Sequence, residues 1–171
     1  MVVICTTKTV FGFPQLAKEI MSKEKQKVVN LYAGPGTGKS TTAASLFSEL
    51  KYLGLNCEYV QEYAKDAAWE RRGYKFFDAQ TYIFANQAFR MQRLEGEVEI
   101  IITDSPLLQS LVYTPENYPI KSLPLVVRET YDCFENLDIF IKRSNTKTYN
   151  PSGRLQTEET AKEKDGQILG M

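Results

Sequence analysis

The most constraining feature of this 171-residue chain is a glycine-rich segment between an apolar run and a helical pattern. Residues 28–32 are mostly apolar and predict a strand, residues 33–41 read Ala-Gly-Pro-Gly-Thr-Gly-Lys-Ser-Thr, and residues 43–50 follow at helical spacing. A strand, a tight turn and a helix in succession are the context that gives the pattern G-x-x-x-x-G-K-[ST] physical meaning. The first glycine of that pattern is Ala33 here, and we expect this small residue to fit. Residues 33–41 are called the P-loop below.

The residue types of the P-loop suit a chain of phosphates. Its glycines let the backbone wrap closely around an anion and point several N–H groups inward, and the following helix adds its positive end. Lys39 is predicted to reach the β- and γ-phosphates, and the Ser40 hydroxyl to ligate Mg²⁺. The expected cofactors are therefore ATP and Mg²⁺. The predicted nucleotide contacts are Gly34, Pro35, Gly36, Thr37, Gly38, Lys39, Ser40 and Thr41.

Composition narrows the classes of function. The 21 basic residues balance 21 acidic ones, so net charge gives no general reason to bind nucleic acid, although a local patch stays open. The chain has no histidine, so any proton transfer must fall to a carboxylate or another group. Its three cysteines show no metal-ligand spacing and favour a reducing, cytoplasmic location. No apolar run is long enough to predict a membrane span.

Strand and helix patterns alternate along the chain, which predicts an α/β P-loop NTPase fold: a parallel sheet with helices on both faces. The predicted strands cover residues 1–5, 28–32, 57–60, 98–103 and 137–142. Beyond the P-loop helix, predicted helices cover residues 66–72, 78–94 with Asp78 as N-cap, 125–135 and 157–169.

Two domain regions follow from this pattern. Residues 1–26 are interpreted as an N-terminal extension, with a further helix at residues 14–21, that could cover a sheet edge. Residues 27–171 form the P-loop domain, in which residues 143–156 are predicted to be a short lid after the last strand. Prolines at 115, 119 and 124 mark an irregular connection.

Two carboxylates are expected near the P-loop, since ligands bind outside the carboxyl ends of strands in open α/β sheets. Asp104 ends the predicted strand at 98–103, where a carboxylate helps to hold Mg²⁺; the alternative is a cap on the turn before Pro106. Glu62 follows the strand at 57–60 and is the favoured catalytic base, with a solvated surface carboxylate as the alternative. Asp66 is the reserve candidate.

An amide-rich helix is the predicted acceptor site. Gln80, Phe84 and Gln87 fall on one helical face, and Arg90 or Arg93 continues near it. Amides flanking an aromatic ring suit a nucleobase, whereas the alternative is a polar outer face with Phe84 in the core. Nearby aromatic residues that could wall the acceptor pocket are Trp69, Tyr74, Phe76 and Phe77.

The predicted lid carries Arg143 and Arg154 at or near its ends. A closing loop that brings cations to a transferred phosphoryl group stabilises charge and excludes water. An ordinary polar surface loop is the alternative.

Residues 27–169 resemble the small P-loop kinases of the nucleoside and nucleotide kinase superfamily. The resemblance is carried by the P-loop, by Glu62-Tyr-Ala, by Thr-Asp104-Ser-Pro and by the lid. The Glu62-Tyr-Ala segment, together with Asp104, is similar to ribosylnicotinamide-kinase-like domains. Glu62, Trp69 and the glutamine-rich helix resemble deoxynucleoside kinases, although their spacing differs. The resemblance implies that Glu62 acts as base or contacts a sugar hydroxyl, and that Arg143 and Arg154 contact phosphates.

These observations predict a kinase that moves the γ-phosphoryl group of ATP to a hydroxyl of a nucleoside, nucleotide or nucleotide-like molecule. Two alternatives stay open. The first is a kinase of a hydroxymethylated base, such as 5-hydroxymethyluracil, in DNA, because the chain is similar in its compact size to phage-encoded P-loop kinases that act on such bases. The other alternative is a P-loop ATPase module acting on a protein partner, against which stands Ser-Pro, rather than glutamate, after Asp104.

Overall fold

The computed structural model of this chain describes residues 2–5, 25–70, 78–144 and 157–171. These residues form a five-stranded sheet in which every neighbouring pair of strands is parallel. The strands are β1 (Val2–Cys5), β2 (Lys27–Tyr32), β3 (Cys57–Val60), β4 (Ile100–Thr103) and β5 (Glu135–Lys142). Their spatial order is β1-β5-β2-β4-β3. The predicted strand at residues 1–5 is confirmed, and it pairs with β5 at the sheet edge.

Helices separate most of the strands along the chain. They are α1 (Lys39–Tyr52), α2 (Tyr63–Trp69), α3 (Gln80–Gln92), α4 (Gln109–Tyr113), α5 (Leu123–Asp132) and α6 (Glu158–Leu169). The predicted α/β class is therefore confirmed. The predicted helix at residues 14–21 lies outside the described residues.

The sheet is buried on both faces. On one face, Val29, Leu31 and Ile102 pack with Leu46 and Leu50 of α1. On the opposite face, the core is built from the alternate strand residues together with α3 and α5; its central members are Val28, Ile101, Phe84, Met91 and Val127. Helix α6 adds Ile168 to this second face, beside Tyr32 and Phe140. This two-sided burial is why β2 and β4 are almost continuously apolar.

Several predicted helix boundaries are wrong, and the contacts of each helix start give the reason. Helix α3 begins at Gln80 with Ala79 at its N-cap position and no capping side chain, so Asp78 lies one residue too early to serve as the cap. Helix α2 begins at Tyr63, three residues before the predicted start, because the side-chain oxygen of Gln87 accepts the Tyr63 N–H at 2.9 Å. Pro124 lies in the first turn of α5, where proline is tolerated, rather than in an irregular connection.

The strand order decides what surrounds the P-loop. Strand β2 lies in the middle of the sheet, between β4 and β5. The chain leaves the carboxyl ends of these neighbours at Asp104 and Arg143. Because parallel strands end at the same edge, the P-loop, Asp104 and Arg143 lie together at one end of the sheet.

Candidate active site

The P-loop joins β2 directly to α1 and is shaped by two glycines in left-handed conformations. Gly36 has φ 81° and Gly38 has φ 106°, a region that other residues adopt only with strain. The Thr37 hydroxyl donates to the Gly34 carbonyl at 2.7 Å and closes the turn. Helix α1 then begins at Lys39, and the N–H groups of its first turn have no acceptor within the helix. The loop can therefore bind an anion at this end of α1.

Lys39 is folded back over the P-loop. Its side chain is 9% exposed, and Nζ donates to the Ala33 carbonyl at 2.5 Å. Burial lowers the pKa of Lys39, while the charges of Glu62, Asp104 and Asp165 act in the opposite direction. An incoming phosphate would offer this ammonium group a charged acceptor in place of a carbonyl, which is a stronger hydrogen bond.

Asp104 links the P-loop to the neighbouring strand ends. This carboxylate is 2% exposed; one of its oxygens accepts the Ser40 hydroxyl at 2.5 Å, and the other accepts the Glu62 N–H at 3.1 Å. The Tyr59 phenol belongs to the same group, because burial, the Asp104 charge and a hydrogen bond to Asp104 raise its pKa. A single buried carboxylate thus connects β4, α1 and the start of α2.

The donor set fits Mg²⁺. Among the residues that the structure describes, no three or more acidic, cysteine or histidine side chains form a cluster. Ser40 and Asp104 supply two oxygen donors in direct contact. This sparse set matches Mg²⁺, which usually keeps several waters and binds one or two carboxylates together with substrate phosphates.

Glu62 is held at the edge of this site. It occupies the N-cap position of α2 in an extended conformation, and its backbone N–H is the group bound by Asp104. Its charge also acts on Lys39. The position of Glu62 beside the P-loop is thus established, and its role as a base stays a prediction.

The amide-rich stripe of α3 faces inward. Gln80, Phe84 and Gln87 are all buried, and the Phe84 ring, 5% exposed, belongs to the apolar core. Gln87 accepts the Tyr63 N–H and donates to the Thr103 hydroxyl at 3.4 Å. Burial therefore favours the core interpretation of Phe84. The prediction that this stripe contacts a nucleobase is not tested by these contacts.

Arg90 and Asp66 form an ion pair rather than separate functional groups. Arg90 Nη2 lies 2.5 Å from Asp66 Oδ2, and Nη1 donates to the Gln61 carbonyl at 3.3 Å. The guanidinium group also lies over the Tyr63 ring, 4.9 Å from its centroid. Arg90 thus braces α2 against α3 just behind Glu62.

Arg143 lies beside the P-loop, where its guanidinium group contacts protein atoms, and its predicted contact with phosphates stays a prediction. Nε lies 2.8 Å from Asp165 Oδ2, and one terminal nitrogen donates to the Pro35 carbonyl at 2.9 Å. Arg154, residues 145–156 of the predicted lid, and the aromatic residues at 74, 76 and 77 lie outside the described residues. Trp69 is described and largely exposed.

Sequence reasoning missed Tyr59 and Asp165. Strand alternation could have found Tyr59, because it pairs with Ile102 and so lies on the α1 face of the sheet. Asp165 gave no local signal: it lies on α6, and its contact with Gly34 spans 131 residues.

Comparison with known proteins adds little to this geometry. No known family matches the chain, and neither does any curated protein. Among solved structures, a mutant APS kinase from Mycobacterium tuberculosis matches with 15% identity and a TM-score of 0.45, covering 86% of this chain and 97% of that one. None of the helices in the described segments is long and apolar enough to span a bilayer.

Proposed function

We propose that this protein is a Mg²⁺-dependent kinase that transfers the γ-phosphoryl group of ATP to a hydroxyl of a nucleoside, nucleotide or nucleotide-like acceptor. The observation that carries the proposal is the dual contact of Asp104. Its carboxylate accepts the Ser40 hydroxyl and the Glu62 N–H. The P-loop is thereby connected to a second acidic residue, Glu62, at the same end of the sheet, and an acceptor hydroxyl would need to lie between them.

The residues of the P-loop have the first task, which is to hold and neutralise phosphate. Backbone N–H groups at the start of α1 bind the β-phosphate, and Lys39 leaves the Ala33 carbonyl to bind the β- and γ-phosphates. Ser40 and Asp104 hold Mg²⁺, which supplies charge neutralisation of the phosphates when bound. Phosphoryl transfer depends mainly on positioning and electrostatic stabilisation, so this small set is sufficient.

Glu62 has the second task, which is to accept a proton. The chain has no histidine, and Glu62 is a carboxylate held beside the phosphate site. As the acceptor oxygen bonds to the γ-phosphorus, the bond to the β–γ bridging oxygen breaks, ADP departs, and the hydroxyl proton passes to Glu62. Arg143 and Arg154 are proposed to supply further positive charge around the transferred group.

The acceptor class rests on the sequence. The Glu62-Tyr-Ala segment and Asp104 resemble ribosylnicotinamide-kinase-like domains, and the amide-rich helix resembles deoxynucleoside kinases. The balanced net charge offers no general attraction for a DNA strand. A small-molecule acceptor is therefore favoured over a hydroxymethylated base in DNA.

An acceptor panel tests the proposal. Labelled ATP with Mg²⁺ is offered with nucleosides, nucleoside monophosphates, nicotinamide riboside, and DNA with and without hydroxymethylated pyrimidines. We expect label on a small molecule. Label on modified DNA alone would assign the protein to the DNA-base kinases, and labelled inorganic phosphate that is independent of every acceptor would indicate an ATPase module.

Two lysine variants on the same helix separate the site from general effects. Lys39→Ala removes the ammonium group over the P-loop and should abolish transfer. Lys51→Ala removes an exposed lysine at the far end of α1 and should leave transfer unchanged. Equal rates for these two variants would contradict the assignment of the P-loop.

A further inference from the structure

The C-terminal helix α6 contacts the P-loop through one carboxylate, Asp165. Its Oδ1 accepts the Gly34 N–H at 2.6 Å, and its Oδ2 lies 2.8 Å from Arg143 Nε. Arg143 in turn donates to the Pro35 carbonyl. The two side chains therefore bind the Gly34 N–H and the Pro35 carbonyl, which are backbone groups of the first turn of the P-loop.

The packing at this point is close. A Cβ atom on Gly34 would lie 2.4 Å from the Ala161 carbonyl oxygen and 2.6 Å from Asp165 Oδ1. Because Gly34 has no side chain, α6 approaches near enough for Asp165 to reach the loop backbone. The contact thus depends on the second residue of the P-loop being glycine.

The charge of Asp165 is unfavourable for an anion site unless it is neutralised. Its side chain and that of Arg143 are each only 16% exposed, so water screens them weakly. The Asp165 charge is strong enough at Lys39 to act on its pKa. A carboxylate at this place would repel the phosphates of a nucleotide, and the Arg143 guanidinium group is the counter-charge in direct contact with it.

We infer that Asp165 and Arg143 act as a positioning pair: Asp165 anchors the Gly34 N–H and so shapes the P-loop, and Arg143 cancels its charge so that phosphates can bind. This inference rests on the proposed function and deepens it, because it assigns Arg143 a role through Asp165. It differs from a structural brace in one respect. Removing the arginine alone leaves an uncompensated negative charge beside the phosphates, whereas removing both charges does not.

Binding of ADP with Mg²⁺, measured by calorimetry on the full chain, tests this pair without requiring an acceptor. Arg143→Gln should weaken binding about tenfold or more, the effect of one unit charge roughly 10 Å away at an effective dielectric constant of about 20. Asp165→Asn keeps an oxygen for the Gly34 N–H and leaves the Arg143 charge uncompensated, so on the same reasoning it should strengthen ADP binding, by up to about tenfold. The double variant carries neither charge and should bind close to wild type, so the second substitution restores the affinity that Arg143→Gln loses.

Two controls keep the test specific. Arg143→Lys retains the charge and should bind ADP more tightly than Arg143→Gln. Lys162→Gln with Glu158→Gln removes an exposed ion pair of 2.9 Å on the same helix, and it should leave affinity unchanged. Far-ultraviolet circular dichroism of each variant identifies any that fails to fold.

The outcomes separate this inference from the proposed function. If the wild-type protein binds no ADP, the proposed function fails and the inference fails with it. If the wild-type protein binds but both single variants bind equally well, or if the double variant is the weakest of all, only the positioning pair is wrong. If Arg143→Gln does not fold, the double variant decides: ADP affinity close to that of wild type supports the pair, and a large loss of affinity contradicts it.

Discussion

Substituting Gly34 with alanine perturbs the junction between the P-loop and α6. The new Cβ would lie 2.4 Å from the Ala161 carbonyl oxygen, a backbone atom that cannot rotate away. Gly34 does not have a left-handed φ, so the backbone itself tolerates alanine, and lower entropy of the unfolded chain contributes about 0.4–1 kcal/mol in favour. The clash must be relieved by moving α6, at the cost of about 1–3 kcal/mol that overpacking usually carries.

We therefore expect Gly34→Ala to lower the free energy of unfolding by up to about 2.6 kcal/mol, after the smaller entropic gain is subtracted, and to weaken ADP binding. In a chain of this size each kcal/mol shifts the melting temperature by about 2–4 °C, so a fall of up to about 10 °C is expected. Chemical denaturation, followed by circular dichroism with and without ADP, measures both quantities.

Gly166→Ala is the matched control. Gly166 lies inside α6, and an added Cβ there meets no atom within 4 Å. Alanine is favoured over glycine within a helix by about 1 kcal/mol, so this variant should be more stable than wild type. If both alanine variants shift stability in the same direction and by the same amount, close packing at Gly34 does not explain the glycine.

The remaining predictions concern Lys39 and Gln87. Lys39→Met should remove the stabilisation that ADP gives, which for wild type at 100 times the dissociation constant is about 2.7 kcal/mol; full retention in a thermal-shift titration would contradict the P-loop assignment. Burial lowers the pKa of Lys39 from 10.5, so the folded nucleotide-free chain binds this proton less tightly than the unfolded chain. The difference in unfolding free energy between wild type and Lys39→Met should therefore rise with pH, from the lowered pKa of Lys39 up to 10.5. A difference that stays flat or falls across this range, measured by chemical denaturation, would refute the lowered pKa. Gln87→Met removes the side-chain oxygen that accepts the Tyr63 N–H and should lower the free energy of unfolding by about 1–3 kcal/mol. Gln92→Met, at an exposed position of the same helix, should change it by no more than about 0.5 kcal/mol. Equal losses in the two variants would argue against the buried contact.

The parts of the site that could be predicted from sequence depend on local pattern. The P-loop carries its own signature, and its position after a strand followed from neighbouring residues. Asp104 and Glu62 were found because each follows a strand, and strands of a parallel sheet end at one edge. The structure places both beside the P-loop through backbone and side-chain contacts within that edge.

The parts that could not be predicted depend on packing between distant segments. A helical stripe at Gln80, Phe84 and Gln87 indicates one face of a helix, and periodicity alone does not tell whether that face meets solvent or the core. The contact between Asp165 and Gly34 depends on where α6 returns to the sheet, which no residue near either position indicates. Boundaries such as the start of α2 at Tyr63 were likewise fixed by a partner on another helix.

Two charged pairs hold the site from opposite sides. Arg90 and Asp66 lie behind Glu62, while Arg143 and Asp165 lie behind the first turn of the P-loop. The first pair joins α3 to α2, and the second joins α6 to the segment that follows β5. The catalytic geometry that we propose is therefore set by residues outside the motif as well as within it.

The most direct measurement is single-turnover transfer of labelled γ-phosphate from ATP, comparing wild type with Glu62→Gln on the best acceptor. If Glu62 accepts the proton of an acceptor hydroxyl, the transfer rate should fall by about 10²–10⁴-fold. ADP affinity should meanwhile change by less than about threefold, since Asp104 binds the backbone N–H of residue 62 and not its side chain. Transfer at the wild-type rate in Glu62→Gln, or label released only as inorganic phosphate by the wild-type protein, would contradict the account.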